Sequence, residues 1–274
     1  MKFAVKALVA VCLSSTMLSA PVFAGAADGS LVAAIQDADR SAENRARDAF
    51  RNPQQTLAFF GFKEDQTVVE IAPGGGWYSE ILAPALKAHG TYYAAHFPAD
   101  ATSNYQKRSL AGFKDKIAKD ARFEKTKLSE FAPLGDSAIA PAGSADLVLT
   151  FRNVHNWYMQ KGDEAVLNAF KQFNTALKPG GILGVVEHRL PEARSDEEQQ
   201  RSGYMKQSYV IAIAKQAGFE LVASSELNAN PKDTADHPKG VWTLPPSLAL
   251  GEEDAAKYRA IGESDRMTLK FKKL

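Results

Sequence analysis

The sequence predicts an α/β fold, doubly wound, with a mostly parallel sheet covered by helices on both faces. Three observations carry this. Apolar β-type runs alternate with helical patterns: Thr67 to Ala72, Thr91 to Ala95, Arg122 to Lys125, Ala145 to Phe151 and Gly181 to Glu187. All but Arg122 to Lys125 are near-continuously apolar, the pattern of strands buried on both sides in a parallel sheet. The first run then breaks into Ala72-Pro73-Gly74-Gly75-Gly76 before turning helical through Trp77, Tyr78, Ile81 and Leu82. A strand that ends in a glycine turn and opens a helix presents bare backbone and unpaired N–H groups to a ligand.

Ahead of these elements, Lys2 and Lys6 precede an apolar stretch from Ala7 to Leu18, and Pro21-Val22-Phe23-Ala24 supplies small residues before a cut after Ala24. This is the layout of a secretory signal peptide over residues 1–24, too short in its apolar part to span a bilayer comfortably. It predicts a periplasmic or secreted protein with no membrane anchor after cleavage, and one domain over residues 25–274. Cys12, the single cysteine, lies inside the signal, so the mature chain has no disulfide or thiolate chemistry. Without Lys2 and Lys6, 31 basic side chains face 32 acidic ones. That balance gives no electrostatic footprint for nucleic acid or an anionic membrane.

Residues 31–60 read as N-terminal helices: one over 31–50, ended at Asn52-Pro53, and a second opened by Pro53 and running to about Phe60. Lys178-Pro179-Gly180-Gly181 is a turn leading into the strand Ile182 to Val186. Glu197 to Ala217 reads as a single helix ending at Gly218, a left-handed C-terminal cap. Phe219 to Ser224 and Met267 to Phe271 are the last two strands. Between them, 226–265 is rich in Pro, Asp and Asn, yet its Val241-Trp242-Thr243-Leu244-Pro245-Pro246 segment is too apolar for a solvated linker. It reads as a cap over the ligand crevice, or equally as a structural loop covering a sheet edge.

Taken together, these motifs resemble the class I S-adenosylmethionine-dependent methyltransferases over nearly the whole mature chain. Val68-Val69-Glu70-Ile71-Ala72-Pro73-Gly74-Gly75-Gly76 resembles that superfamily's first motif, an acid at the strand end followed by glycines. Ala145-Asp146-Leu147-Val148 resembles its fourth-strand motif, and Leu177-Lys178-Pro179-Gly180-Gly181 the turn before its fifth strand. The C-terminal half, with Val241 to Pro246 and Glu263-Ser264-Asp265-Arg266-Met267-Thr268-Leu269, is similar to a bacterial group of exported methyltransferases. The resemblance implies a Rossmann-like seven-stranded sheet with an antiparallel last strand, and S-adenosyl-L-methionine as cofactor. It places Glu70, Ala72, Gly74, Gly75, Gly76, His96 and Asn153 around that cofactor. Ala72 stands where the family has its first glycine. His96 stands where the family has an acid for the ribose hydroxyls, and a neutral imidazole accepts only one hydrogen bond.

Candidates for chemistry follow the fourth and fifth strands, because ligands of open α/β sheets bind at the carboxyl ends of the strands. His155 and Glu187 are candidate catalytic bases. Trp157, Tyr158, Arg189 and Trp242 are candidate substrate contacts, Arg189 through a substrate carboxylate or through Glu187. Packing of the sheet end and an internal salt bridge account for the same residues equally well. His237 with Asp233 and Asp236 matches no metal-loop spacing, so no metal is expected. The expected function is methyl transfer to a small-molecule nucleophile. The alternative is a ligand-binding or sensing protein that keeps the fold without catalysis. A nicotinamide-dependent oxidoreductase is disfavoured, since the first glycine and the ribose-binding acid are both missing.

Overall fold

A computed structural model describes residues 29–136 and 138–274. The proposed signal peptide, 1–24, lies outside the described residues. The helices are α1 (Gly29–Gln36), α2 (Ala42–Arg45), α3 (Asp48–Arg51), α4 (Pro53–Phe60), α5 (Ser79–Leu86), α6 (Asn104–Lys119), α7 (Val154–Ala176), α8 (Asp196–Ser202), α9 (Gln207–Gln216) and α10 (Ala255–Ile261). The strands are β1 (Thr67–Ile71), β2 (Thr91–His96), β3 (Lys127–Glu130), β4 (Ala145–Phe151), β5 (Leu177–Leu190), β6 (Met205–Lys206), β7 (Phe219–Ser225) and β8 (Arg266–Lys273). The sheet runs β3-β2-β1-β4-β5-β8-β7, with the two-residue β6 beside the end of β5. All neighbours pair parallel except β8, which is antiparallel to both β5 and β7. This is the Rossmann-like methyltransferase arrangement that the motifs imply.

The two-residue period of the strands divides the core. Val69, Ile71, Val148 and Val185 point to one face, against Phe170 and Phe173 of α7 and Val210 and Ile213 of α9. Val68, Leu147, Leu149 and Val186 point to the other, against Leu57 and Phe60 of α4, Ile81 and Leu82 of α5 and Phe113 of α6. Each face hides its apolar side chains, so each strand reads as continuously apolar.

Three sequence expectations are corrected. Residues 31–50 form three short helices rather than one, with Arg40 turned inward onto Asp48 at 2.7 and 2.8 Å. The third strand is Lys127–Glu130, not Arg122 to Lys125. Asp120 accepts from the Arg122 backbone N–H and folds Ala121–Phe123 into a 3-10 turn. The expected helix from Glu197 to Ala217 is two helices divided by β6. Gly203, at φ 76°, ends the first of them.

Candidate active site

A cleft of about 580 Å³ opens at the carboxyl ends of β1 and β4. These strands are neighbours in the sheet, and the chain leaves them toward opposite sheet edges, β1 to β2 and β4 to β5. Loops diverging from such a switch point leave a crevice. Both strands end in a non-glycine residue with left-handed backbone, Ala72 at φ 46° and Arg152 at φ 60°. That conformation costs an L-residue roughly 1–2 kcal/mol, and strained backbone of this kind clusters at ligand sites. The N-terminal helices close one side of the cleft through Asn44, Arg47 and Arg51. Residues 226–265 close another through Val241, Trp242 and Pro245.

The glycine turn lines the floor. An added Cβ at Gly74 or Gly75 would meet nothing within 4 Å, so the bare backbone of both faces open space. Gly76 differs: at φ 79° its Cβ would press on Phe113 at 3.0 Å, and it does not line the cleft. Glu70 is buried, with Oε2 accepting from Tyr92 Oη at 2.5 Å and Ser79 Oγ at 2.8 Å. Its Oε1 has no hydrogen-bond partner among the described residues. Burial pushes the carboxyl up to about 7, although both hydrogen bonds act to lower it.

His96 is spent inside the protein. Nδ1 accepts from the Phe97 backbone N–H at 2.8 Å, which leaves the proton on Nε2, 3.3 Å from the Gly74 carbonyl oxygen. The ring is fully buried beside Phe113, and burial lowers its pKa. It fastens the end of β2 to the glycine turn, in place of the expected contact with ribose hydroxyls. On that side the cleft is lined by Phe97, Tyr105 and Gln106. Asn153 also faces the cleft, and its Nδ2 donates to the Ile71 carbonyl at 3.0 Å and to Thr150 Oγ1 at 3.2 Å, tying β4 to β1.

Across the cleft, His155 and Glu187 meet. Nδ1 of His155 lies 2.9 Å from Glu187 Oε1, and Glu187 Oε2 accepts from the His155 backbone N–H at 3.3 Å. A carboxylate only accepts, so Nδ1 carries the proton. Nε2, without a partner among the described residues, keeps its lone pair. Glu187 is fully buried and His155 lines the cleft, 6.1 Å from the Trp242 ring. His188 stands beside them, its Nδ1 2.5 Å from Ser264 Oγ. Burial, then the neighbouring His155 and Arg266, drive His188 well below the usual imidazole range and keep it neutral. His155, Glu187 and His188 offer ligand atoms within 4.8 Å of one another, a set that can hold a metal ion.

Four arginines form the remaining wall: Arg47, Arg51, Arg152 and Arg266. One carboxylate serves three of them. Glu263 accepts from Arg47 Nε at 2.6 Å, from Arg51 Nε at 3.4 Å and closely from Arg266 Nη2. Burial pushes the Glu263 carboxyl up, but Arg266, Arg51 and Arg47 outweigh it and bring the group to about 2. Arg51 is 3% exposed with both Nη atoms unpartnered; Nη2 of Arg47 and Nε of Arg266 are buried and unpartnered too. The Arg152 side chain makes no hydrogen bond among the described residues. Burial, and Arg266 beside it, lower its pKa to about 10. Trp77 lies 4.6 Å under Arg51.

The structure thus brings together Glu70, Ala72, Gly74, Gly75, Asn153, His155, Trp157 and Trp242 on one cleft. Trp157 contributes little free surface, being 6% exposed and packed on Phe131 and Phe173. Two expected substrate contacts are corrected. Tyr158 packs on Tyr209 and does not line the cleft. Arg189 pairs with Asp265 at 2.9 Å and Glu226 at 2.7 Å and does not line the cleft. His237 serves the fold, its Nε2 2.8 Å from the buried Asp233. The sequence reading missed Arg47, Arg51, Arg152, Arg266 and Glu263. Their traces were the four-residue spacing of Arg47 and Arg51, the position of Arg152 after β4, and the Glu263 to Leu269 segment, which carried a resemblance but no role.

The fold is that of the class I S-adenosylmethionine-dependent methyltransferases. A methyltransferase of Aquifex aeolicus described as SAM-dependent superposes with a TM-score of 0.55 at 14% identity, over 84% of this chain and 93% of that one. The [4+2]-cyclase SpnF superposes at 0.52 and 16% identity, over 82% and 80% of the two chains. The methyltransferase SibL gives 0.52 and 14%, over 83% of this chain and 56% of SibL. At such identities the likeness establishes architecture, and a cyclase among these structures shows that the architecture alone does not fix the reaction. No family model and no curated protein sequence matches the chain.

Proposed function

We propose that this protein is a methyltransferase that uses S-adenosyl-L-methionine and acts on a small-molecule nucleophile, in the periplasm or outside the cell. The observation that carries the reading is His155, held by Glu187 with Nε2 free, facing the same cleft as the open glycine turn. The residues fit the cofactor at its amino acid end: Gly74 and Gly75 leave room for close approach, and Glu70 Oε1 is free to accept from an ammonium group. Gln106 and Tyr105 would replace the missing ribose acid. When bound, the cofactor supplies an electrophilic methyl group.

The chain's own residues then have three tasks. Glu187 fixes the ring and tautomer of His155, and stabilises the imidazolium that forms when Nε2 takes the proton of the attacking nucleophile. Trp157 and Trp242 exclude water from the space between nucleophile and methyl group. Ala72 and Arg152 hold the two loops at fixed angles, which favours alignment, the main requirement of a displacement.

Calorimetric titration with S-adenosylhomocysteine tests the reading. Micromolar binding is expected, lost in Gly74→Val, where a branched side chain fills the open floor at positive φ. No heat and no thermal shift in the wild type would remove the methyltransferase reading. The second reading, a non-catalytic binding or sensing protein, is favoured by His96, whose two ring nitrogens are both engaged by the backbone.

A further inference from the structure

The arginine wall carries more positive charge than the single carboxylate of a methyl donor would answer. Arg47, Arg51, Arg152 and Arg266 bring four positive charges to one side of the cleft, and Glu263 returns one negative charge. A surplus of three is left in a site where four N–H-bearing atoms of Arg47, Arg51 and Arg266 are buried without partners. Buried polar groups without partners are costly, and arginine stays charged in proteins, so neutralisation by proton loss does not relieve the site. Something else supplies the acceptors. A methyl donor with one carboxylate, one ammonium and one sulfonium brings net positive charge and deepens the surplus.

We propose that the arginine wall binds a dianionic oxygen group, of the phosphate monoester or paired-carboxylate kind, carried by the methyl acceptor. The guanidinium fork matches such groups with two parallel charge-assisted hydrogen bonds. The four arginines come from three separate places, α3 with its preceding residue, the end of β4 and the start of β8, so they surround a group instead of meeting it from one side. Trp77 supports Arg51 from below at 4.6 Å, and Glu263 holds three of the four in position, which lowers the ordering cost of binding. His188, flanked by Arg266 across the β5–β8 pair, places this wall next to His155, so an acceptor anchored by its anion is delivered to the base. Calling the anion part of an acceptor rests on the proposed methyl transfer; the anion site itself does not.

Arg152 makes the cleanest variant, since its side chain gives no hydrogen bond among the described residues and stands among like charges. Purified protein is titrated by calorimetry with inorganic phosphate and with succinate at constant ionic strength, and separately with S-adenosylhomocysteine. Wild type is expected to bind one of the two dianions saturably, and which one tells phosphate from paired carboxylates. Arg152→Gln is expected to weaken that binding about 10- to 100-fold, the effect of losing a charge-assisted contact, while affinity for S-adenosylhomocysteine moves less than about threefold on the same scale. The partly exposed Arg47→Gln repeats the test at a second residue of the wall. Absence of dianion binding, or equal binding by wild type and both variants, overturns the proposal. So does a loss of dianion and S-adenosylhomocysteine binding together, with each competing against the other, because the arginines then hold the donor's carboxylate. If dianions bind but S-adenosylhomocysteine never does, the anion site stands and the methyltransferase reading falls.

Discussion

Replacing Glu263 with glutamine is expected to cost this protein about 3 kcal/mol of stability at neutral pH. The side chain is 3% exposed and is the one carboxylate hydrogen-bonded by Arg47, Arg51 and Arg266. Its pKa falls from an ordinary 4.5 to about 2 in the fold. A fall from 4.5 to about 2 corresponds to roughly 3 kcal/mol of preferential stabilisation of the charged form. Loss of one partner from a buried ion pair costs a similar roughly 3–5 kcal/mol. The sign follows from the depressed pKa: the contribution is fully present above pH 4.5 and is lost as the pH falls toward 2. Urea unfolding of wild type and Glu263→Gln at pH 7, 5 and 3 reads it directly. The gap between them is expected to be near 3 kcal/mol at pH 7 and to shrink to about half that at pH 3. A gap below 1 kcal/mol at pH 7, or one that widens on acidification, would refute the assignment of Glu263 as the charge that holds the arginine wall together.

Glu187→Gln is expected to leave S-adenosylhomocysteine binding intact and to lower turnover about 10²- to 10⁴-fold, because a neutral amide no longer favours the imidazolium of His155; equal turnover would remove His155 as the base. Glu70, raised by burial to about 7, favours its protonated form in the fold. Its contribution is therefore greatest below pH 4.5 and is lost as the pH rises through 7. Urea unfolding should find Glu70→Gln gaining on wild type by up to about 3 kcal/mol between pH 4 and pH 8, and no relative gain would count against a desolvated carboxyl.

Much of the sheet was legible because its central strands are buried on both faces: Val68, Val69 and Ile71 announce β1 as plainly as Leu147, Val148 and Leu149 announce β4. β3 was misplaced for the opposite reason. It is an edge strand whose Lys127, Leu128 and Glu130 side chains are exposed, so no apolar run marks it. The long helix after Glu197 was broken by Gly203, whose Cβ position is pressed by Val241 and Trp242, a contact that only the folded 226–265 segment creates. At the site, His155 and Glu187 each follow from their place at a strand end, and their 2.9 Å contact needed only the β4–β5 pairing. The arginine wall left no comparable mark. Its members are scattered over residues 47 to 266, and it is their convergence on Glu263 that gives them meaning.

That convergence also governs when the site comes into being. The Arg47 and Arg51 contacts with Glu263 join positions 216 and 212 residues apart, and Asn52 reaches Leu227 and Asn228 across 175 and 176. Contacts this distant in sequence close late, after the loops between them have already given up their freedom. The His155–Glu187 pair can therefore assemble with the β4–β5 pairing, while the charged wall waits for both ends of the chain. A nascent chain that has passed Glu187 but not Glu263 would have the proposed base without the proposed anion site.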